Sequence, residues 1–177
     1  RNGDEVPPFN IEFEGGNLNP LAVFDYDGSR NYRFVVTQGS KVHMYNNQAK
    51  IVRGFTFTDA PSNILGAPKH FRVGNKDYLV FKQDNSTLRI LHRVGSDRIK
   101  VAEKIDFSNN EVFLYKNKFS VTNKKGVLHQ IDTNGKLTAT NFNLTPDHGF
   151  YATSNTLVIG ETGEYYVEVT NNGGPCT

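Results

Sequence analysis

The sequence predicts an all-β fold written as a repeated four-stranded unit. Three observations carry this expectation: apolar and polar residues alternate with period two from Leu21 onward, tight-turn dipeptides separate the short apolar runs, and the whole phrase recurs about every 40 residues. No window of ordinary helix length carries an apolar stripe at 3.6 spacing, so essentially no helix is expected.

The candidate strands follow one another in short steps. LAVFD, YRFVVT, KVHMY and IVRGFTF come first, from Leu21 to Phe57. HFRV, DYLVFK, TLRILHR and RIKVAEK follow between His70 and Lys104, then VFLY, KFSVT, VLHQI and KLTATNF between Val112 and Phe142. FYAT, TLVIG and EYYVEV close the series. Each run is rich in β-branched and aromatic side chains, which pack well on a pleated surface. Between them stand Asp27-Gly28, Gly39-Ser40, Asn46-Asn47, Gly95-Ser96, Lys125-Gly126, Asn134-Gly135 and Thr162-Gly163, which supply the positive φ values of hairpin turns. QIDTNGKLTAT, with Asn134-Gly135 between two alternating runs, is a strong local hairpin signal.

Laid under one another, the stretches beginning at Tyr32, Asp77, Lys118 and Thr156 share one plan: apolar strand, polar turn, second strand, Gly- or Asn-bearing turn, more polar third strand. Val36, Val80, Val121 and Val158 anchor it. Four short strands per period is the pattern of a β-propeller blade, and blades are expected over about 20–58, 67–108, 109–146 and 147–170. The alternative is a β-sandwich, which spaces strands similarly but has no reason to repeat the whole phrase. Residues 1–19 form a lead in which Phe9–Glu14 alternates and could add a closing strand to the last unit. Alternatively the chain is an arc of a larger propeller, with open edges able to pair with a second copy; the arc is the favoured reading.

Composition agrees with thin sheet layers. Apolar residues make up 37%, mean hydropathy is −0.52, and 13 Phe with 8 Tyr supply the bulk. The single Cys176 can form no internal disulfide, and no apolar run approaches the roughly 18 residues of a membrane span, so no membrane insertion is expected. The chain starts at Arg1 without methionine and reads as a processed or excised piece. Its net charge of +2 is uneven: Lys69 to Lys136 holds 14 Lys/Arg against 7 Asp/Glu. A basic middle could bind an anion or nucleic acid, but the charges alternate with apolar residues, as at Lys82, Arg89 and Lys100, which is how the wet faces of strands look.

Candidate sites are few. Asp25, Asp27 and Gly28 resemble the opening of a calcium loop, with Ser29 and Asn31 as weak further donors, because the ion wants six to eight oxygens at alternate positions. Arg33 stands where a closing carboxylate belongs and Arg30 lies close by, so pairing of the acids with these arginines is expected instead. Of the five histidines, His43, His92 and His129 occupy the same place in successive repeats, which implies a repeated packing role such as a ring nitrogen bonding a neighbouring strand. No two of His43, His70, His92, His129 and His148 have metal-type spacing. Asn85 and Asn143 head glycosylation sequons that mark exposed turns. Sugar stacking on Tyr or Phe is conceivable, although Trp, the commonest platform, is absent. No catalytic, cofactor-binding or metal residue is assigned, and no cofactor is implied.

NPLAVFDYDGSRNYRFVVTQGSKV, GAPKHFRVGNKDYLVF, EKIDFSNNEVFLYKNKFSVTNKKG and QIDTNGKLTATNFNL resemble the propeller-like C-terminal region of large envelope proteins from Gram-negative bacteria of the flavobacterial kind, with repeats of the PQQ-like or WD-like type. The resemblance covers about Asn19 to Leu157, and the part from Gly160 onward departs from it. It implies a segment of a bigger envelope-associated chain in the periplasm or on the cell surface. Some members carry the label ribonuclease HII, whose chemistry needs several acids gathered on an α/β scaffold around divalent metals. FDYDG does not match that enzyme's first acidic motif, and no residue is carried over. The expected function is therefore a non-enzymatic scaffold for protein or glycan contact. The alternatives are a metal-dependent nucleic-acid hydrolase using Asp25 and Asp27, or anion and nucleic-acid binding by the basic middle.

Overall fold

The computed structural model describes residues 8–161 in full and the backbone of Glu164–Val169. Fourteen strands and no helix occur among the described residues, as the alternation requires. They form four antiparallel sheets, each a meander of consecutive strands. The first sheet holds β1 (Ala22–Phe24), β2 (Arg33–Gln38) and β3 (Lys41–Asn46). The second holds β4 (Ile64–Val73), β5 (Lys76–Gln83), β6 (Leu88–Leu91) and β7 (Asp97–Ile99). The third holds β8 (Phe113–Tyr115), β9 (Lys118–Thr122), β10 (Leu128–Ile131) and β11 (Leu137–Thr140). The fourth holds β12 (Gly149–Ala152), β13 (Thr156–Glu161) and β14 (Glu164–Val169).

The chain divides into two compact units. One runs to Asn85 and includes Arg89–Arg98; the other comprises Ser86–Leu88 and the chain from Ile99 on. In the first unit, alternation drives Val35, Val42 and Met44 into the core with Phe24, Phe55, Phe57, Leu79 and Phe81. Phe57 meets Phe81 edge-on at 5.2 Å between ring centroids. Full burial of each such ring is worth about 2–3 kcal/mol, so the aromatic-rich composition is what closes a thin layer. The second unit has its own centre, where Tyr115, Leu128, Phe150, Leu157 and Ile159 pack together.

Several strands depart from the sequence reading. IVRGFTF is not a strand: Phe55 N bonds the Val52 carbonyl at 3.0 Å, turning the chain at Arg53-Gly54. The segment nonetheless fills the fourth position beside β3, through isolated bridges Tyr45↔Ile51 and Lys41↔Asp59 and bonds from Val52 N to Met44 O and Val42 N to Thr58 O. HFRV extends back to Ile64, because a register shift between Leu65 and Lys69 absorbs Gly66, at φ 67, and Pro68, which has no N–H to give. RIKVAEK shrinks to β7. Phe9–Glu14 forms no ladder; Phe9 and Phe13 instead lay their rings against Phe34 at 4.6 Å and His43 at 5.6 Å, and the Gln38 amide donates to the Gly15 carbonyl. The Thr162-Gly163 turn, Cys176 and the side chains of EYYVEV lie outside the described residues.

The repetition extends to the turns. At residues 46–50, 92–96, 123–127 and 132–136 the first residue's N–H bonds the fifth residue's carbonyl, and the fourth residue's N–H bonds back to the first. The fourth residue is left-handed each time: Ala49 (φ 56), Gly95 (φ 89), Gly126 (φ 74) and Gly135 (φ 87). In three of the four, a side-chain oxygen of the first residue, Asn46, Asn123 or Asp132, accepts from the third and fifth backbone N–H groups at 2.8–3.0 Å. These are Asx turns, which satisfy loop donors locally.

Candidate functional site

The stretch after β1 closes on itself. Asp25 Oδ2 accepts from Arg30 N at 3.1 Å, with Arg30 left-handed at φ 62. Arg33 donates to Asn31 Oδ1 at 2.8 Å and to the carbonyls of Asn31 and Tyr32. Asp25 thus meets Arg30 through its backbone N–H rather than its guanidinium, and the Arg33 guanidinium serves Asn31 and the Tyr32 carbonyl. Asp27 finds its counter-charges far away in sequence, in Arg93 at 2.8 Å and Arg72 at 3.8 Å.

Those two arginines belong to a network centred on Asp77. Its side chain is 5% exposed at the start of β5, directly opposite Arg72 in the β4–β5 ladder. Arg93 Nε donates to Asp77 Oδ2 at 2.5 Å, and His70 Nε2 lies 2.8 Å from Asp77 Oδ1. Arg72 donates to the Tyr26 carbonyl at 2.7 Å. The Arg93 guanidinium also sits 4.6 Å from the centre of the Tyr26 ring, a cation–π distance. Burial pushes the Tyr26 hydroxyl up to about 12, against the pull of Arg33 and Arg93. Burial works against the charge on Arg93, but its hydrogen bonds to Asp27 and Asp77 prevail and hold the guanidinium more firmly protonated.

An open cavity of about 440 Å³ adjoins this network, lined by Asp25, Tyr26, Asp27, Gly28, His70 and Arg72. Asp25 Oδ1 is buried beside it without a hydrogen-bond partner. The arrangement is chemically one of compensation: two carboxylates spend their lone pairs on two guanidiniums and an imidazole. A divalent cation asks for six to eight oxygens and would have to displace those charges. Among the described residues, no three His, Cys, Asp or Glu side chains gather as a metal-holding group.

The histidines divide differently from their repeat positions. His43 stacks on Tyr45 at 6.4 Å between ring centres, whereas His129 Nε2 meets the Asn123 amide at 3.1 Å with Nδ1 buried and unpartnered. Burial lowers the pKa of His129; for His92 burial acts with the nearby charges of Arg98 and Lys76 in the same direction. The three thus share a place but not a partner. His70 and His148 carry the stronger polar contacts, His148 Nδ1 lying 2.9 Å from Thr145 Oγ1. Nothing in the local sequence of His70 marks this, since Asp77 becomes its neighbour only across a hairpin.

The basic middle is largely engaged internally. Arg89 pairs with Asp97 at 2.6 Å, Lys124 with Asp106 at 2.8 Å, and Arg98 lies over the Tyr78 ring at 5.0 Å. Of the sequons, Asn85 and Asn143 are both exposed.

No protein-family model matches the chain, and no curated protein matches it in sequence. Its likeness is to solved structures. The computationally designed Ika4 protein superposes with a TM-score of 0.65 at 15% identity, over 91% of this chain and 96% of that one. The fold is shared; the sequence is not. The designed Ika8 protein gives 0.60 at 15% identity, over 86% of this chain and 46% of Ika8. BBS1N, crystallised in complex with ARL6DN, gives 0.58 at 17% identity, over 85% of this chain and 48% of that one. No helix among the described residues is long and apolar enough to cross a membrane.

Proposed function

We propose that this chain is a β-propeller-like segment of a larger envelope protein, a non-enzymatic scaffold for protein or glycan contact in the periplasm or on the cell surface. The observation that carries the reading is that each sheet is an up-and-down meander of consecutive strands, repeated in step with the sequence phrase and with a recurring five-residue turn. Repetition of one supersecondary unit builds a rigid frame with variable turns, which suits recognition. The coverage of the likenesses supports a modular array: nearly the whole of Ika4 but only about half of Ika8 and BBS1N. BBS1N is crystallised with a protein partner, which supports protein contact as one use of such a fold.

The reading is tested in two parts. An experimental structure should arrange the four sheets radially about one axis; two sheets stacked face to face would overturn the architecture. Incubation with an RNA/DNA hybrid and magnesium or manganese should give no metal-dependent cleavage and no shift in melting. Cleavage abolished by Asp25→Asn or Asp27→Asn would replace the scaffold by a hydrolase.

A further inference from the structure

We infer that the turn joining β10 to β11 is a self-modifying site, at which the Asn134 side-chain amide is hydrolysed through attack by the Gly135 backbone nitrogen. Of the four five-residue turns, this one alone sets an asparagine at the third position before a left-handed glycine. The others have Gln48, Val94 and Lys125 there. The order Asn-Gly leaves Asn134 Cγ one five-membered ring closure from the Gly135 nitrogen, and glycine puts no Cβ in the way.

The reaction needs water and nothing else. Hydroxide takes the Gly135 N–H proton, the N–Cγ bond forms, and ammonia leaves to give a succinimide. Water then adds to either imide carbonyl, yielding an aspartyl residue or an isoaspartyl residue whose main chain runs through Cβ and Cγ.

The surroundings favour it. Asn134 is exposed, and its side-chain amide makes no hydrogen bond with the described residues; only its backbone N–H is tied, to Asp132 Oδ1 at 2.8 Å. Its turn is also the least wedged of those bearing glycine. A Cβ at Gly95 or Gly126 would collide with the backbone of Phe57 or Leu144, whereas the nearest atom to one at Gly135 is Ile99 Cγ2, at 3.3 Å.

The gate is the Gly135 N–H, which donates to the Asp132 carbonyl at 3.0 Å. Attack requires that bond to open, so the reaction is slowed by the fraction of time the turn is closed. Opening is a local event, because β11 is the outermost strand of its sheet and its side chains are half-buried or exposed. Isoaspartate lengthens the main chain by one carbon inside a turn where Asp132 Oδ1 holds both Asn134 N and Lys136 N. The first β11 pair, Ile131↔Leu137, then loses its register. This inference goes beyond the scaffold reading and does not rest on it.

The test is incubation of the full chain at mildly alkaline pH, then trypsin digestion and mass spectrometry. Cleavage after Lys125 and Lys136 releases a peptide whose one asparagine is Asn134, apart from the Asn-Gly pairs that begin at Asn2 and Asn172. That peptide should gain the mass of an amide-to-acid conversion and accept a methyl group from protein isoaspartyl methyltransferase. Its rate should fall below that of the free synthetic peptide by the factor by which hydrogen exchange is slowed at the Gly135 N–H. Urea below the unfolding transition should raise conversion and exchange together. Asn134→Gln should abolish conversion. A rate that misses the exchange-derived value in either direction, conversion and exchange that part company in urea, or conversion that persists in Asn134→Gln would each overturn the inference. None of these outcomes touches the scaffold reading, which falls only to the radial-sheet and cleavage tests.

Discussion

Arg93 and Asp77 meet through an Nε–H to carboxylate bond of 2.5 Å, with the acid almost wholly buried and the base still partly in water. His70 occupies the other carboxylate oxygen at 2.8 Å. Removing the acid strands a guanidinium and an imidazole, so Asp77→Ala should cost roughly 3 kcal/mol, the lower end for a broken buried pair because Arg93 keeps solvent contact. Asp77→Asn should cost less, since it retains a hydrogen-bonding oxygen. Denaturant unfolding checks both. A cost below that of surface substitutions such as Lys50→Ala would show the network to be ornamental.

Tyr26 makes stability sensitive to alkali. Its hydroxyl is pushed from 10.0 to about 12, so the fold favours the protonated ring. That contribution is complete below pH 10 and is lost as pH climbs towards 12. Ultraviolet titration should therefore resolve a late-ionising step, to which Tyr45, also raised by burial, contributes in the same direction. Tyr26→Phe should shrink the late step and flatten the alkaline fall in Tm.

His129 does the reverse in acid. Burial holds its pKa below the ordinary 6.5, so the fold favours the neutral ring. The unfolded chain binds the proton more readily, and stability present above pH 6.5 declines as pH drops through the folded-state value. His129→Gln, which keeps a polar partner for Asn123, should reduce the slope of Tm against pH in that window. An unchanged slope would assign the acid sensitivity elsewhere.

The five-residue turns predict opposite effects for one chemical change. Ala49 sits at φ 56 where the equivalent turns have glycine, so Ala49→Gly should stabilise by up to about 1 kcal/mol. Gly95→Ala should destabilise by more than the same amount, because the new Cβ would also come within 2.5 Å of Phe57 N. Gly74→Ala, at φ 60 with open space around it, should show the backbone cost alone. Thermal melts of the three variants suffice. A Gly95→Ala loss no greater than that of Gly74→Ala would mean the turn shifts to make room.

Much of this architecture is legible in the residues because alternation and burial obey the same period of two. DYLVFK lies inside β5, KFSVT is β9, and the glycines of the turns stand where left-handed backbone is needed. IVRGFTF misleads because Arg53-Gly54 breaks the ladder while the flanking residues still look extended. Phe9–Glu14 alternates because its rings dock on a neighbouring aromatic surface, which mimics a strand pattern without strand pairing. Around Asp25 and Asp27 the sign of the electrostatics can be anticipated and the partners cannot. Arg30 and Arg33 are near in sequence, but Arg72 and Arg93 are brought in by the β4–β5 hairpin and the turn after β6. His70 is missed for the same reason, its acid arriving from across that hairpin.

The irregular segment from Ile51 to Asp59 has a consequence for the protein at high concentration. It occupies the hydrogen-bonding groups along the outer margin of β3 at Val42 and Met44, yet it offers no regular row of donors and acceptors of its own. A bare margin there would be a template for fibril growth, and this ragged selvage denies an incoming chain its register.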